Sequence, residues 1–433
     1  MLFFSLILGK LSSVSIKTFF KRDASTWPGH LVLESNPEFI KNVLNKNPDI
    51  KIVLIAGTNG KTTTTKALHH ILEKNEIKAG INSSGANLLN GFASLLIQKS
   101  NLIGKISADA LLFEVDENSL PLLLSKCPMV NGQWSIVLLN LFRDQLDRYG
   151  EINTTAEKWK DALSKVNKKA TLIANSDDPQ IVGIAKDFKG SVTYFSINDN
   201  LKNELSLSHA VDSTTCPKCR NDLKYSKIAY SHIGNYSCSK CEFKNPKALS
   251  LNIKTNLEGS FNIYNLTASV VTAEKLFNIS NTQAINSLED FKPAFGRQEE
   301  IKINDKTIKI YLSKNPTGLN ESLKVTIENN YNNLLIVLND RIPDGRDISW
   351  IWDVDFELLT GKNLNITLSG DRTYDLANRL KYSNVKTFKV EENINTALEK
   401  ALSLTSKNQT LAILPTYSAM LEIRKILTGK SIL

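Results

Sequence analysis

The chain has 433 residues, 42% apolar and 22% charged, a globular composition that excludes a collagen-like, mucin-like or largely disordered polymer. That length exceeds one ordinary core and predicts two or three domains. The 53 Lys and Arg against 44 Asp and Glu leave a charge of +9. This balance suits an anionic partner, whether nucleotide, nucleic acid or acidic bilayer, and suits equally a basic surface kept for solubility.

The stretch from Met1 to Leu11 is apolar, but Lys10 interrupts it after nine residues, short of the ~20 that a membrane span needs. No basic region precedes it and no small-residue cleavage pattern follows, which argues against a signal peptide. An amphipathic helix running toward Phe20 is predicted instead. Its apolar side would pack on the domain, with Lys10, Lys17, Lys21 and Arg22 facing water or lipid headgroups. This lead-in is assigned residues 1–45.

From Lys51 to Ala56 an apolar, β-branched run ends at a glycine turn, the pattern of a buried strand, and a helix from Lys61 to about Lys74 follows. Strand, glycine loop and helix form the opening unit of a parallel α/β sheet. Further buried strands are predicted at Ala110 to Val115 and Ser135 to Leu139, both ending in polar clusters. Ligands of open α/β sheets sit at the carboxyl ends of strands, so those clusters are site candidates. Between about Thr214 and Pro246 four cysteines and many lysines mark an inserted module. A second α/β stretch is predicted from about Ile301 to the end. Its strands are expected at Asn333 to Leu338, Leu364 to Leu368 and Thr410 to Leu414, with a helix from Asp371 to Lys381.

The loop Gly57-Thr58-Asn59-Gly60-Lys61-Thr62-Thr63 puts small residues where the backbone must turn tightly and aim its N–H groups at phosphate oxygens. The helix that begins there adds its positive end. Lys61 is placed to neutralise the β- and γ-phosphates of ATP, and the Thr62 hydroxyl to help hold Mg²⁺. The general Walker pattern asks for a glycine where this chain has Ile55, so the loop is a variant. A chance glycine-rich turn is the bland alternative, and the flanking strand and helix speak against it.

Glu114, Asp116 and Glu117 close the strand at 110–115, where a carboxylate reaches a nucleotide's Mg²⁺; Glu114 is the preferred ligand, and a solvated acidic strand end is the alternative. The run from Asn140 to Glu151 holds Asp144, Gln145 and Asp147. Farther on come Asn262 and Asn265, which could equally cap a helix, and Arg297 after Gly296.

Cys216-Pro-Lys-Cys219 and Cys238-Ser-Lys-Cys241 are separated by eighteen residues, the spacing of a four-thiolate zinc ribbon. Four thiolates leave no open position on Zn²⁺, so such a site is structural. Two disulfides are the alternative, which an intracellular nucleotide enzyme disfavours. A ribbon on a basic chain also raises nucleic-acid binding through Lys218, Arg220, Lys224 and Lys227. Its few aromatics, Tyr225, Tyr230, Tyr236 and Phe243, are as readily spent on a small core, and no nucleic-acid partner is expected.

The short Gly-Thr-Asn-Gly-Lys-Thr-Thr loop after a buried strand resembles the ATP loop of the Mur ligases and folylpolyglutamate synthetases. The Asn140 to Glu151 run is similar to the Mur-ligase stretch that normally carries Asp-His-Leu-Asp. Here Gln145 replaces the histidine and removes an imidazole metal ligand. Lys158 and Lys160 lie near the place of the family's carbamylated lysine, but neither aligns with it. Asn262 and Asn265 look like the family's nucleotide-side asparagines, and Arg297 like the hinge arginine that reaches the transferred phosphate.

Within that group, the ribbon in the ATP domain, the run Lys314-Asn-Pro-Thr-Gly-Leu-Asn320 and the run Asp344-Gly-Arg-Asp347-Ile-Ser-Trp350-Ile-Trp352-Asp353-Val-Asp355 resemble the MurT family over nearly the whole chain. The resemblance implies a Mur-ligase-type α/β fold. A P-loop central domain at residues 46–295 would carry the zinc ribbon at about 214–246, followed by a smaller Rossmann-like domain at 297–433. It also implies an ATP-, Mg²⁺- and Zn²⁺-dependent carbon–nitrogen ligase that amidates the D-glutamate α-carboxylate of lipid II through an acyl phosphate. Ammonia would come from a GatD-like glutaminase partner, with the chain in the cytoplasm and at the inner face of the membrane where lipid II is met. A glutaminase needs a nucleophilic cysteine with a histidine partner. After the ribbon thiols only Cys127 remains, in a Ser-Lys-Cys-Pro setting without a nucleophile elbow. By likeness, Asp347 matches the aspartate that completes the partner's triad. A buried or capping carboxylate is the alternative, with Asp344, Asp353 and Asp355 as fallbacks. The rival functions are a lone amino-acid ligase of the Mur or folylpolyglutamate type and a zinc-ribbon nucleic-acid-binding ATPase.

Overall fold

Two α/β sheets carry most of the core in the computed structural model, which describes residues 1–19, 24–82, 85–126, 134–144, 150–197, 209, 211–292 and 296–429. The first sheet comprises β1 (Lys51–Ala56), β2 (Ala79–Ile81), β3 (Ala110–Val115), β4 (Trp134–Leu138), β5 (Thr171–Asn175), β6 (Ser191–Ser196) and, beyond the ribbon, β9 (Leu249–Ser250). Its order is β2-β3-β1-β4-β5-β6-β9, with parallel pairing throughout. A parallel sheet must be covered on both faces. Ile52 and Leu54 of β1 point into one apolar layer with Leu6, Val32, Phe39 and Phe92. Val53 and Ile55 point into the other with Leu68, Leu266 and Val270.

The helices of the first layer are α1 (Leu2–Phe19), α2 (Trp27–Ser35), α3 (Phe39–Asn45) and α5 (Leu89–Lys99), while α4 (Lys61–Lys74) covers the opposite face beside the helix Ser260–Phe277. β1 lies between β3 and β4, so chain connections leave it toward both sides. The loops after these three strands therefore meet at one crevice.

Strands β7 (Leu223–Tyr230) and β8 (Ile233–Cys238) form the antiparallel hairpin of the cysteine module, inserted between β6 and β9. The second sheet has the order β10-β11-β15-β12-β13-β14, made of β10 (Arg297–Ile303), β11 (Lys306–Tyr311), β12 (Asn333–Val337), β13 (Asn365–Ser369), β14 (Lys389–Val390) and β15 (Thr410–Pro415). β10 and β11 pair antiparallel and the remaining neighbours parallel. Observed element ends lie within a few residues of the predicted ones. The strand expected at 135–139 is Trp134–Leu138, the helix expected at 371–381 is Thr373–Tyr382, and the second sheet opens at Arg297 rather than Ile301.

The helix predicted toward Phe20 spans Leu2–Phe19 with Lys10 inside it, but most of its apolar side is exposed rather than packed on the domain. Against the expectation of a run too short to span, its 18 residues are long and apolar enough by length and composition to cross a membrane. Its packed side is narrow, consisting of Ser5, Leu6 and Gly9. A Cβ on Gly9 would lie 2.7 Å from Ile97 Cδ1 of α5, so glycine permits this close approach. Asn36 donates to Ser5 Oγ at 3.0 Å on the same side.

Candidate active site

The phosphate loop is held by its neighbours before any ligand arrives. Thr58 N–H donates to the Asn140 carbonyl at 3.0 Å, Asn59 N–H to Asn140 Oδ1 at 2.9 Å, and Phe142 N–H to Thr58 Oγ1 at 3.0 Å. Gly60, at φ +90°, caps α4, and a Cβ there would fall 2.0 Å from Asn265 Oδ1. Glycine is thus required for both the backbone conformation and the contact. Lys61 Nζ folds back onto its own loop, donating to the Gly57 carbonyl at 2.5 Å, the Thr58 carbonyl at 3.2 Å and Glu117 Oε1 at 3.0 Å.

The three carboxylates at the end of β3 are all buried, so the solvated strand end is excluded. Thr62 Oγ1 donates to Glu114 Oε2 at 2.6 Å, bringing together the two side chains singled out for Mg²⁺. A hydroxyl beside a carboxylate at a phosphate loop is a hard, all-oxygen donor set that fits this cation. Glu114 is itself positioned by Asn82, whose Oδ1 accepts from Glu114 N–H at 3.0 Å. Burial pushes the Glu117 carboxyl above the usual carboxylate range, against the pull of Lys61 and Lys314.

A cavity of about 380 Å³ opens over the loop, within the size range of small-molecule sites. The first domain lines it with Thr58–Thr63, Glu114, Asn262 and Asn265, and the second with Arg297, Lys314, Glu321 and Tyr417. The cleft therefore lies between the domains. Asn262 donates to the Glu258 carbonyl at 2.8 Å, and the cap of its helix is Gly259, which removes the helix-capping alternative. Burial lowers the Arg297 pKa while Glu114 opposes it; the group stays charged at neutral pH. Burial also acts against the Lys314 ammonium, but Asp144 and Glu117 outweigh it and raise its pKa. Lys314 is ion-paired with Asp144 across the cleft.

In the cysteine module, Cys216 and Cys241 sulfurs lie 3.7 Å apart, Cys219 and Cys238 sulfurs 3.4 Å, and all four within 4.8 Å of one another. A tetrahedron of about 2.3 Å Zn–S bonds has edges of roughly 3.8 Å, so the four thiols fit Zn²⁺. The cysteines are free, which removes the disulfide alternative. Burial pushes the Cys216 thiol up to about 12, and the Asn221 backbone N–H draws Cys219 down to about 6.

The chain matches the Mur ligase middle domain over residues 55–273 and the MurT ligase C-terminal domain over residues 312–420. It is 34% identical to the lipid II isoglutaminyl synthase subunit MurT of Streptococcus pneumoniae, over 94% of this chain and 93% of that one. To the MurT subunit of Staphylococcus aureus (strain COL) it is 32% identical, over 95% and 94%. The chain belongs to the MurT family. It is an ATP-dependent ligase of the Mur-ligase superfamily. More distant is the UDP-N-acetylmuramate–L-alanine ligase of Clostridium tetani, 25% identical over 71% of this chain and 62% of that one. Two solved structures share the fold. A pseudomurein peptide ligase type C from Methanothermus fervidus has a TM-score of 0.66 and 23% identity, covering 92% of this chain and 83% of that one. MurF from Acinetobacter baumannii has a TM-score of 0.63 and 17% identity, covering 92% and 80%.

The Asp344 to Asp355 stretch lies inside the segment matched by the MurT C-terminal domain. Asp347 is not in the cleft. It sits half-buried on the loop after β12, its Oδ1 accepting from Ser349 N–H at 2.8 Å at the start of a short 3-10 helix. The fallback aspartates are engaged elsewhere. Asp344 is buried on Ser418, Asp353 pairs with Arg143 at 3.1 Å, and Asp355 bonds Asn320 and His209, each at 2.9 Å. Lys160 pairs with Asp187 at 2.9 Å, on the helix Ile152–Ser164. Gln145, Cys127, Lys21 and Arg22 lie outside the described residues.

Four residues of the site take roles that the sequence did not assign to them. Glu117 holds Lys61, Asn140 braces the loop, Lys314 crosses from the second domain, and Tyr230 at the tip of the ribbon hairpin lines the cavity. Glu117, Asn140 and Lys314 lay within noted motifs; Tyr230 had no signal beyond its aromatic type.

Proposed function

We propose that this chain is the synthetase subunit of a lipid II isoglutaminyl synthase. It converts the D-glutamate α-carboxylate of the lipid II stem peptide to the amide, using ammonia made by a GatD-like glutaminase with which it forms a heterodimer in the cytoplasm. The observation that carries the reading is the cleft. A phosphate loop, the Thr62 and Glu114 pair, and cations from both domains face one cavity.

Lys61 swings from its own loop carbonyls onto the β- and γ-phosphates of ATP. Thr62 and Glu114 would hold Mg²⁺, which would supply positive charge to neutralise the phosphates. The substrate carboxylate attacks the γ-phosphorus, ADP leaves and an acyl phosphate forms. Arg297 and Lys314 stabilise the charge on the transferred group, and Asn262 and Asn265 bound the nucleotide side. Ammonia then attacks the acyl carbon, releases phosphate and loses a proton to give the amide. Asp347, outside the cleft, serves the partner's Cys-His pair. All described cysteines belong to the ribbon, which supports an external source of ammonia.

The test supplies the purified chain with ATP, lipid II and either ammonium or glutamine. Ammonium alone should give the amide, and glutamine should do so only with the partner. Ligation of a free amino acid instead would establish the lone-ligase reading, and ATP hydrolysis stimulated by DNA or RNA the ATPase reading. Asp347→Asn should slow glutamine-driven turnover more than ammonium-driven turnover. Equal loss with both would remove Asp347 from the glutaminase.

A further inference from the structure

The outer side of α1 has no partner among the described residues. Phe4, Leu11, Val14 and Phe19 are 73, 62, 61 and 80% exposed, and Met1, Phe3 and Leu8 are exposed beside them. Spacings of three and four residues put Phe4, Leu8 and Leu11 on one line along the helix. Lys10 and Lys17, seven apart, lie on another line, between this apolar face and the packed side of Ser5, Leu6 and Gly9. Four cations and no carboxylate occur among residues 1–22. The loop that follows α5 extends the surface. Leu2 lies against Gly104, and the neighbouring Leu102 and Ile103 are exposed while Lys46 donates to the Ile103 carbonyl at 2.9 Å.

We propose that α1, with the Leu102 and Ile103 loop, lies flat in the headgroup region of an anionic lipid bilayer. The length of α1 alone would permit a span, but its attachment to α2 and α5 through Asn36 and Ile97 holds it along the domain surface. A helix so held can only lie in the interface, where apolar side chains enter the acyl boundary and flanking lysines reach phosphates. Charge complementarity selects this occupant. A basic rim without acidic side chains on the helix fits an anionic leaflet, whereas a second copy would oppose the same cations to each other.

The inference does not rest on the amidation reading, since vesicle binding is measured without substrate. The full chain, alone and with its glutaminase partner, is sedimented with vesicles of phosphatidylcholine and of phosphatidylcholine mixed with phosphatidylglycerol. Binding should be at least tenfold stronger to the anionic vesicles and weaken with salt. The triple variant Phe4→Ser, Leu8→Ser, Leu11→Ser should lose it while keeping thermal stability and ATP binding, and Lys10→Glu with Lys17→Glu should lose the preference for the anionic lipid. Sedimentation unchanged by the triple variant overturns the proposal. So does doubling of mass in velocity sedimentation that the triple variant abolishes, which would show a second copy on the helix. Vesicle binding by the isolated chain that the partner eliminates would show the partner there, and overturns it likewise.

Discussion

Replacing Glu258 by glutamine tests whether the two domains are latched over the cleft. Glu258 precedes the helix Ser260–Phe277 in the first domain. Its carboxylate accepts from Lys309 Nζ at 2.5 Å, from Tyr331 OH at 2.7 Å and from Tyr311 OH, all in the second domain. Its backbone exchanges bonds of 2.8 and 2.6 Å with the Gln298 side chain. Glutamine keeps an acceptor for the hydroxyls and the backbone bonds but removes the charge opposite Lys309. A charge-assisted bond contributes ~1.5–3 kcal/mol. With side-chain exposures of 15% and 19%, solvent screens part of that, leaving about 2 kcal/mol. By the ~1.4 kcal/mol per decade relation, this is roughly thirtyfold in the ratio of docked to undocked domains. Because the cavity wall comes from both domains, ATP affinity should fall in Glu258→Gln with little change in the unfolding of the first domain. Calorimetric titration with a non-hydrolysable ATP analogue reads the affinity. A double-mutant cycle with Lys309→Met isolates the pair, with an expected coupling of ~1.5–2 kcal/mol. Coupling near zero with unchanged affinity would refute the latch. The hydrogen bonds outweigh burial and hold the Glu258 pKa below its ordinary value. The latch is therefore present above the usual carboxylate range and is lost as pH falls through that depressed pKa.

Lys61→Ala should abolish amidation in a product assay while partner binding by gel filtration persists. Gly60→Ala, which drives a Cβ to 2.0 Å from Asn265 Oδ1 at a φ of +90°, should abolish nucleotide binding by titration with a modest change in melting temperature. Removal of Zn²⁺ by a chelator, or Cys238→Ser, should lower the melting temperature and release two or more thiols to a colorimetric reagent. Asp290, on Lys74 and His70 of α4, has its pKa held down at about 2, chiefly by the Lys74 bond. Its contribution is present above the unfolded carboxylate value and lost as pH falls through about 2. The stability difference between the protein and Asp290→Asn should therefore shrink over that window in acid denaturation.

The phosphate loop and the zinc knuckles were legible because their chemistry is local. A phosphate cradle needs glycines, lysine and threonine in one turn, and a thiolate knuckle needs two cysteines three apart. Glu114 was legible as a strand end. Glu117, three residues on, looked more dispensable. Its role emerges only when the turn into the next helix brings it to Lys61, with Trp159 Nε1 holding the Glu117 carbonyl at 2.8 Å from another helix. The Asp144 and Lys314 pair joins residues 170 positions apart, beyond the reach of any spacing rule. At the N-terminus the helix itself was legible, and the lysine inside it is accommodated because a long side chain can leave an apolar helix sideways. The exposure of its apolar side was not legible, because which side packs is set by contacts of Leu6 and Gly9 with elements distant in the chain.

The ribbon is tied into the nucleotide site by more than its place in the chain. Gly234 N–H of its hairpin donates to the Asp177 carbonyl at 2.9 Å, and Asn245 reaches the Ser176 carbonyl at 3.0 Å. Those bonds fix the tip, where Tyr230 lies 5.8 Å from the Phe142 ring and His232 4.7 Å from it. Phe142 in turn exchanges hydrogen bonds with Thr58 Oγ1 of the phosphate loop. Closing the four thiols at one end of a two-stranded hairpin therefore orders the wall of the cavity at its other end. A hairpin of two strands is marginal on its own. Tyr230→Ala should accordingly weaken nucleotide binding with the thiol cluster intact. Loss of the cluster should weaken binding to a similar extent, and the two together no further. Additive losses in nucleotide titrations of the single and double variants would show that the ribbon and the cavity wall are independent.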